Sequence, residues 1–209
     1  EKLVRYRQVM GDECEHLLTL SNRVVMLTEI DRGELELHKE EVALRPLLRD
    51  IAEKYQLKAA KTIHFDIDCE EGCSVYADAF CLREILSNLV DNAVKYNRQG
   101  GYVRLVCREV EPADGVPVYE YTITDNGIGM SEEFQKHLYE PFCREEQQVE
   151  GASSGTGLGA PIAKQLVELM GGTMSFSSIL GQGTTFTIRL PFEKCKCSEI
   201  PQAVRVNAG

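Results

Sequence analysis

The sequence predicts an α/β fold in which a long N-terminal helix precedes a compact domain of mixed helices and strands. Two patterns support this prediction. Coiled-coil-like apolar spacing runs through residues 1–38, and from Leu44 onward helical periodicity alternates with strand-like alternation. A third observation bears on function, because one amide-rich helix and three glycine-rich turns follow one another between residues 88 and 186.

The composition is that of a globular protein with no affinity for nucleic acid. A chain of 209 residues, 43% of them hydrophobic, can bury a full core. The net charge of −10 repels a phosphate backbone, although a metal and local groups can still create a nucleotide site. No apolar run approaches the roughly 18 residues of a bilayer span, so we expect no direct membrane contact. The chain starts at Glu1 rather than Met, so we expect a fragment of a longer protein.

The eight cysteines are expected to be reduced thiols, as in a cytoplasmic protein. They are scattered along a chain longer than most secreted disulfide scaffolds. Cys195 and Cys197 could bind a metal, but no second pair and no nearby histidine accompanies them. The eight positions are 14, 69, 73, 81, 107, 143, 195 and 197.

Residues 1–38 are predicted to form one long helix with an apolar stripe. A single helix cannot bury such a stripe, so it needs a partner from this chain or from a second copy. The helix is expected to loosen at Gly33, and residues 35–42 are predicted to be an extended linker. The stripe consists of Leu3, Tyr6, Met10, Glu13, Leu17, Leu20, Val24, Leu27 and Asp31.

The compact domain is predicted to contain three helices and six strands. The polar segment 130–158 is long for a plain connection and is predicted to be a lid. We expect the tail from Cys195 either to be disordered or to be a segment added for expression of the protein. The predicted helices are 44–60, 78–97 and 159–170, and the predicted strands are 62–68, 74–76, 102–110, 117–124, 173–178 and 184–190, with a turn at 112–115.

The helix predicted over 78–97 carries a polar stripe that suits a magnesium-bound nucleotide. Asn88 and Asn92 are four residues apart, and Lys95 and Tyr96 follow one turn later. Amide oxygens suit a Mg²⁺ that phosphates already coordinate. Lys95 offers a cation to phosphate, and Tyr96 offers a ring to a base or sugar. Taken alone, the stripe could also be the solvated face of an amphipathic helix.

Three glycine-rich turns follow this helix. Asp125 ends a predicted strand and can accept a hydrogen bond from an exocyclic amine, while Gly127 and Gly129 let the backbone approach a flat ring. The run Gly155-Thr156-Gly157-Leu158-Gly159 opens a helix whose free N–H groups can hold phosphates. The third turn spans residues 181–186. Taken singly, these could be a plain turn, a lid hinge and a hairpin.

Together the four elements resemble the N, G1, G2 and G3 boxes of the ATP-binding domain of bacterial sensor histidine kinases, members of the Bergerat-fold superfamily. Residues 140–144 resemble the F box of that family, and residues 23–37 resemble the end of the second dimerisation helix. The resemblance implies a two-layer α/β sandwich with ATP between helices and lid. It also implies a partial dimerisation helix at 1–38, a catalytic domain at 39–194 with a lid at about 130–158, and a tail at 195–209.

The resemblance implies a role for each of these residues in binding Mg-ATP. Asn92 would be the principal Mg²⁺ ligand, with Asn88 beside it. Lys95 would contact phosphate, and Arg144 could reach the γ-phosphate. Asp125 would bind the adenine amine, and Tyr96 would pack on the ring. The other implied ATP-binding residues are Gly127 and Gly129 in the adenine pocket, Gly155, Thr156, Gly157, Leu158 and Gly159 along the phosphates, and Thr184 or Thr185 at the Asp125 end.

One residue position distinguishes family members that transfer the phosphate from those that hydrolyse ATP. Hydrolysing relatives carry a glutamate where this chain has Asn88, which cannot act as a general base. Glu84, one turn earlier, is a poor substitute. The resemblance therefore implies transfer of the γ-phosphate to a histidine and relay to the receiver domain of a response regulator. A stand-alone ATPase is disfavoured by Asn88.

The acceptor histidine of the family is not recognisable in this sequence. His16 comes closest, but no acid follows it and the proline of the acceptor motif is absent. We expect the acceptor on a dimerisation helix outside this fragment and no autophosphorylation of the fragment itself. The parent protein is expected to be a homodimer through its N-terminal helix, with this domain in the cytoplasm whether or not the parent has a membrane anchor. The alternative is a nucleotide-responsive dimerisation or scaffold module without phosphotransfer.

Overall fold

The computed structural model describes residues 2–59, 61–110, 115–145 and 156–194, without the side chains of residues 2–9, 12, 13, 15 and 16. The helices are α1 (Lys2–Asp31), α2 (Leu44–Lys58), α3 (Ala79–Lys95), α4 (Glu132–His137) and α5 (Gly159–Leu169). The strands are β1 (Lys39–Ala43), β2 (Ile63–Cys69), β3 (Ser74–Asp78), β4 (Gly101–Val110), β5 (Val118–Asp125), β6 (Thr173–Ile179), β7 (Gly183–Pro191) and β8 (Glu193–Lys194).

A five-stranded mixed sheet in the order β2-β4-β5-β7-β6 forms one layer of the fold. β2 runs parallel to β4, and the other neighbours are antiparallel. Every second residue of β5 is buried, as the two-residue period of a strand requires. The opposite face carries polar pairs such as Arg189 with Glu120. The sheet is thus covered on one face, which confirms the predicted two-layer α/β sandwich.

Helices α2, α3 and α5 form the second layer, with α3 between the other two and packed on β5. α3 begins where the Asp78 carboxylate accepts a hydrogen bond of 2.8 Å from the backbone N–H of Cys81, a cap that stabilises the first turn. Its predicted core residues are buried, except for half-buried Val94. The buried ones are Leu82, Ile85, Leu86, Leu89, Val90 and Ala93.

The N-terminal helix is shorter than predicted, and its packed face differs from the predicted stripe. α1 ends at Asp31, where loosening was expected, rather than near residue 38, and β1, which overlaps the predicted extended linker, pairs antiparallel with β3. α1 packs on α5 through half-buried side chains that include Leu20, Leu27 and Ile30. Val24 is 43% exposed, so the apolar stripe is not buried along its length.

The sequence patterns do not predict two short elements. α4 lies inside the predicted lid, where the Ser131 hydroxyl caps it by accepting from the N–H of Phe134. β8 pairs with β3 and adds a third strand to a small sheet with β1. Both are too short to show a recognisable period. Residues 111–114, 146–155 and 195–209, which include most of the predicted turn, part of the lid and the tail, lie outside the described residues.

The described residues also bear on the expectations for membrane and redox state. None of the helices within them is long and apolar enough to cross a bilayer. The six cysteines among them are all free of disulfides, at positions 14, 69, 73, 81, 107 and 143.

Candidate functional site

A cleft between α3, the N-terminus of α5, the end of β5 and the base of the lid brings most of the predicted site residues together. Those that line it are Asn88, Asn92, Lys95, Tyr96, Asp125, Gly129, Arg144, Thr156, Gly157, Gly159 and Thr184. Gly127, Leu158 and Thr185 do not line it, and Gly155 lies outside the described residues. Segments remote in sequence therefore converge as the motif order suggested.

The amide stripe of α3 faces this cleft rather than solvent. Asn88 is only 3% exposed, and its side-chain N–H₂ donates to the carbonyl of Glu84 at 2.9 Å, which turns Oδ1 toward the cleft. Asn92 lines the cleft and forms no side-chain hydrogen bond with any described residue. Inward amide oxygens suit a hard cation such as Mg²⁺. The solvated-face interpretation is therefore wrong for Asn88.

Asp125 places a carboxylate at the opposite end of the cleft. Its Oδ1 accepts the N–H of Gly127 at 2.8 Å. Burial raises the pKa of Asp125 to about 6, and the backbone N–H groups of Gly127 and Thr184 oppose that rise because they favour the charged form. Around neutral pH the group is an ionised acceptor in an apolar setting, which suits an amine donor. The apolar wall consists of Ile128, Met130, Phe134, Leu138 and Phe186.

The register of β5 with β7 places Thr184, not Thr185, beside Asp125. Thr184 pairs with Asp125 across the two strands and lines the cleft. Its hydroxyl lies 2.9 Å from that of Ser178. Thr185 lies on the other face of β7, where its hydroxyl is 3.1 Å from that of Thr124. Successive strand residues point to opposite faces, so only one of the two threonines can reach the cleft.

Three cations line the cleft, and one of them lies at its Asn88 end. Lys95 and Arg144 are two of them, and the third is Arg23 from α1. Burial lowers the pKa of Lys95, and the nearby charges of Arg144 and Arg23 lower it further, against the attraction of Asp91. None of the three forms an ion pair with any residue that the structure describes. The cleft therefore suits an anionic ligand.

A backbone hydrogen bond joins the two described ends of the predicted lid segment. The N–H of Phe142 donates to the carbonyl of Gly157 at 3.1 Å. Gly157 has a φ of +70°, and a Cβ there would lie 2.8 Å from the carbonyl oxygen of Cys143, so only glycine fits. α5 then begins at Gly159 with Pro161 in its first turn, where proline is tolerated.

Sequence reasoning overlooked several residues of the cleft. Phe134 and Leu138 are four apart, and that spacing within the lid segment could have revealed the apolar wall. Asp91 lies between the two asparagines, and its pKa is raised by burial despite nearby Arg23 and Lys95. For Arg23 the sequence carries no signal, because α1 reaches the cleft only through tertiary packing.

Comparison with known proteins identifies the relatives of this chain. Residues 77–194, more than half of the chain, match the family described as histidine kinase-, DNA gyrase B-, and HSP90-like ATPase. The circadian input-output histidine kinase CikA of Synechococcus elongatus is 35% identical over 91% of this chain. The sensor histidine kinase GacS of Pseudomonas protegens is 31% identical over 91% of it. The chain spans 25% and 21% of these two relatives, respectively.

Solved structures show the same architecture. Full-length ShkA, solved in complex with AMPPNP, is 29% identical with a TM-score of 0.71 and covers 86% of this chain, which spans 36% of ShkA. The mycobacterial sensor histidine kinase MprB has a TM-score of 0.63 and 26% identity, over 75% of this chain and 100% of its own.

Proposed function

Because the chain belongs to the histidine kinase-, DNA gyrase B-, and HSP90-like ATPase family, we propose that it is the ATP-binding catalytic domain of a two-component sensor histidine kinase. The observation that carries the proposal is the polarity of one cleft. A buried carboxylate, Asp125, stands beside an apolar wall at one end, the amide oxygen of Asn88 and the guanidinium of Arg23 stand at the other, and Lys95 and Arg144 also line the cleft. This order matches adenine, metal and phosphates along a nucleotide.

In the proposed complex, Asp125 accepts the adenine amine while Tyr96 and the apolar wall contact the ring. Asn92 and Asn88 hold Mg²⁺, which when bound neutralises phosphate charge. Lys95, Arg144 and the N–H groups at the start of α5 contact the phosphates. AMPPNP in the ShkA structure supports nucleotide binding by a relative of similar fold.

We assign phosphate transfer rather than hydrolysis to this site. Asn88 occupies the buried position from which hydrolysing relatives are expected to activate water, and an amide cannot take a proton. Glu84 is not among the residues that line the cleft, and its carbonyl is bonded to Asn88. The γ-phosphate would pass to a histidine outside this sequence and then to a response-regulator receiver domain.

The proposed parent protein is a homodimer through the N-terminal helix, with this domain in the cytoplasm. Large apolar side chains on α1 remain exposed and fit such pairing. They are Met10, Leu17, Leu18, Val24 and Val25. The relatives are named histidine kinases, which supports a role in phosphotransfer but does not identify the receiver.

Titration with a fluorescent ATP analogue, with and without Mg²⁺, tests the nucleotide site. Asp125→Asn should weaken binding by at least about tenfold, because it replaces a charged acceptor with an amide. Asn92→Ala should remove most of the gain in affinity that Mg²⁺ confers. Dissociation constants measured for the wild type and for both variants test these two expectations.

Asn126→Ala is the matched control. Its side chain accepts the N–H of Tyr102 outside the cleft, so nucleotide affinity should not change. Absence of binding by folded wild type, or equal affinity in all three variants, would contradict the proposal and favour a scaffold module without phosphotransfer.

A further inference from the structure

Arg23 reaches from the N-terminal helix into the cleft and bonds to residues on two other segments. Its Nη2 donates to Oδ1 of Asn88 at 3.2 Å, and its Nη1 donates to the hydroxyl of Thr156 at 3.1 Å. Asn88 belongs to α3, and Thr156 lies where the described lid residues resume before α5. One guanidinium therefore joins three segments at the Asn88 end of the cleft.

The register of α1 on the domain holds Arg23 in this place. Leu20, Arg23, Leu27 and Ile30 follow helical steps of three and four, so they share the face that packs on the domain. At the end of this face, the side-chain N–H₂ of Gln165 on α5 donates to Asp31 at 3.0 Å. Arg23 is thus half-buried within a packed interface rather than free in solvent.

Arg23 forms no ion pair with any described residue, although Asp91 lies close enough to attract its charge. Both of its hydrogen-bond acceptors are neutral, and Lys95 and Arg144 line the same cleft. Two of the carboxylates that line the cleft accept hydrogen bonds from the backbone. Asp125 accepts the N–H of Gly127, and Glu145 accepts the N–H of Ser131 at 2.9 Å. Asp91 is the remaining acid, and no ion pair between it and Arg23 exists among the described residues. Several cations beside one free acid favour a multiply charged anion.

The position of Arg23 corresponds to the far end of a nucleotide. On α3, the carbonyl of Tyr96 accepts the N–H of Ile128, next to the Asp125 end of the cleft. Asn88 lies eight residues earlier, which is roughly 12 Å along a helix axis. Arg23 bonds to Asn88, so a terminal phosphate is the part of a bound triphosphate closest to it.

We infer that Arg23 is a ligand of the terminal phosphate of a nucleoside triphosphate, so that docking of α1 completes the site and responds to the γ-phosphate. The inference rests on the proposed function. In it, the guanidinium exchanges two neutral acceptors for phosphate oxygens, which are stronger acceptors. A triphosphate would then hold α1 against the domain more firmly than a diphosphate, because reciprocal coupling links the two events.

Calorimetric titration with Mg-AMPPNP and with Mg-ADP tests this inference. Arg23→Ala should weaken AMPPNP binding by about tenfold to a hundredfold and ADP binding by less than about threefold, as expected for loss of a charge-assisted contact to the terminal phosphate. Arg32→Ala is the matched control, because Arg32 is exposed just beyond α1 and pairs weakly with Glu34 at 4.0 Å. It should change neither affinity.

Hydrogen exchange of residues 17–31 provides a second readout. In wild type, exchange should be slower with AMPPNP than with ADP, and Arg23→Ala should abolish that difference. If Arg23→Ala does not fold, Gln165→Ala serves instead, since it loosens the α1–α5 contact without touching the cleft. It should reduce AMPPNP affinity more than ADP affinity.

Three results would overturn the inference while leaving the proposed function intact: equal losses for both nucleotides, no change, or tighter AMPPNP binding by Arg23→Ala. The last would identify Arg23 as an obstruction to the nucleotide rather than its ligand. Failure of folded wild type to bind either nucleotide would overturn the proposed function and the inference together.

Discussion

At the scale of single residues, the burial of Asp125 is the feature that most shapes the chemistry of the cleft. The carboxylate is 9% exposed, and only two backbone N–H groups oppose the cost of its charge. Its pKa of about 6 lies well above the ordinary value of 3.8. An amine on the ligand would donate a hydrogen bond to this carboxylate, which the apolar wall cannot do. A buried acceptor would therefore favour adenine over a base that lacks the amine.

This pKa predicts how the stability of the fold depends on pH. The unfolded chain loses this proton near pH 3.8, whereas the native state keeps it until about pH 6, so native stability falls as pH rises between these values. Relative to Asp125→Asn, wild type should lose about 1.4 kcal/mol of unfolding free energy between pH 5.0 and pH 7.5. Urea unfolding at both pH values measures this difference.

Glu53→Gln provides the comparison for that measurement, because Glu53 is exposed on α2. The difference in unfolding free energy between Glu53→Gln and wild type should be the same at both pH values. A constant difference for Asp125→Asn as well would mean that Asp125 ionises in the native state as it does in the unfolded chain.

At the scale of elements, the turn after β5 depends on close backbone contact with the turn after β6. The N–H of Gly181 donates to the carbonyl of Ile128 at 2.6 Å. Gly129 follows with a φ of +64°, and a Cβ there would overlap the carbonyl of Ile179. This contact joins the two turns beside the Asp125 end of the cleft.

Gly129→Ala should therefore lower the free energy of unfolding by about 3 kcal/mol or more, because it adds steric overlap to left-handed backbone strain. Gly72→Ala is the control, since Gly72 has a φ of +71° with open space around it. It should cost only about 1–2 kcal/mol, from the backbone term alone. Denaturant midpoints of the two variants give the comparison, and equal losses would show that the overlap is relieved without cost.

At the scale of the whole molecule, the described histidines are placed away from the cleft. His38 precedes β1, His64 lies in β2, and His137 ends α4, where its ring contacts Glu140 at 2.8 Å. None of them lines the cleft. The side chain of His16 lies outside the described residues.

The purified chain should accordingly bind Mg-ATP without phosphorylating itself. After incubation with γ-labelled ATP, the protein should retain no acid-labile label, while the same sample still binds the fluorescent analogue. Label retained on any of the four histidines would show that an acceptor exists within this sequence. His16→Gln would then reveal whether the residue closest to the acceptor pattern is responsible.

Local patterns were sufficient for most of the compact domain. The apolar stripe of α3, the alternation of β5 and the glycines at turns each depend on neighbours in sequence, so their periods reveal them. The same holds for the ordered motifs, because Asn88, Asn92 and Asp125 project from elements whose ends the sequence marks. The helix was predicted to continue to about residue 38, although its loosening at residues 31–33 was expected, and β1 was predicted only as an extended linker, since β1 is stabilised by its partner β3 rather than by its own residues.

The sequence by itself therefore determined the α/β class, the order of the motifs and most of the polar residues and glycines that line the cleft. The tertiary structure alone decided three further points. Strand register selected Thr184 over Thr185, burial raised the pKa of Asp125, and the packing of α1 on α5 brought Arg23 to Asn88. Each depends on contacts between residues that are distant in sequence, and such contacts produce no periodic pattern in the sequence.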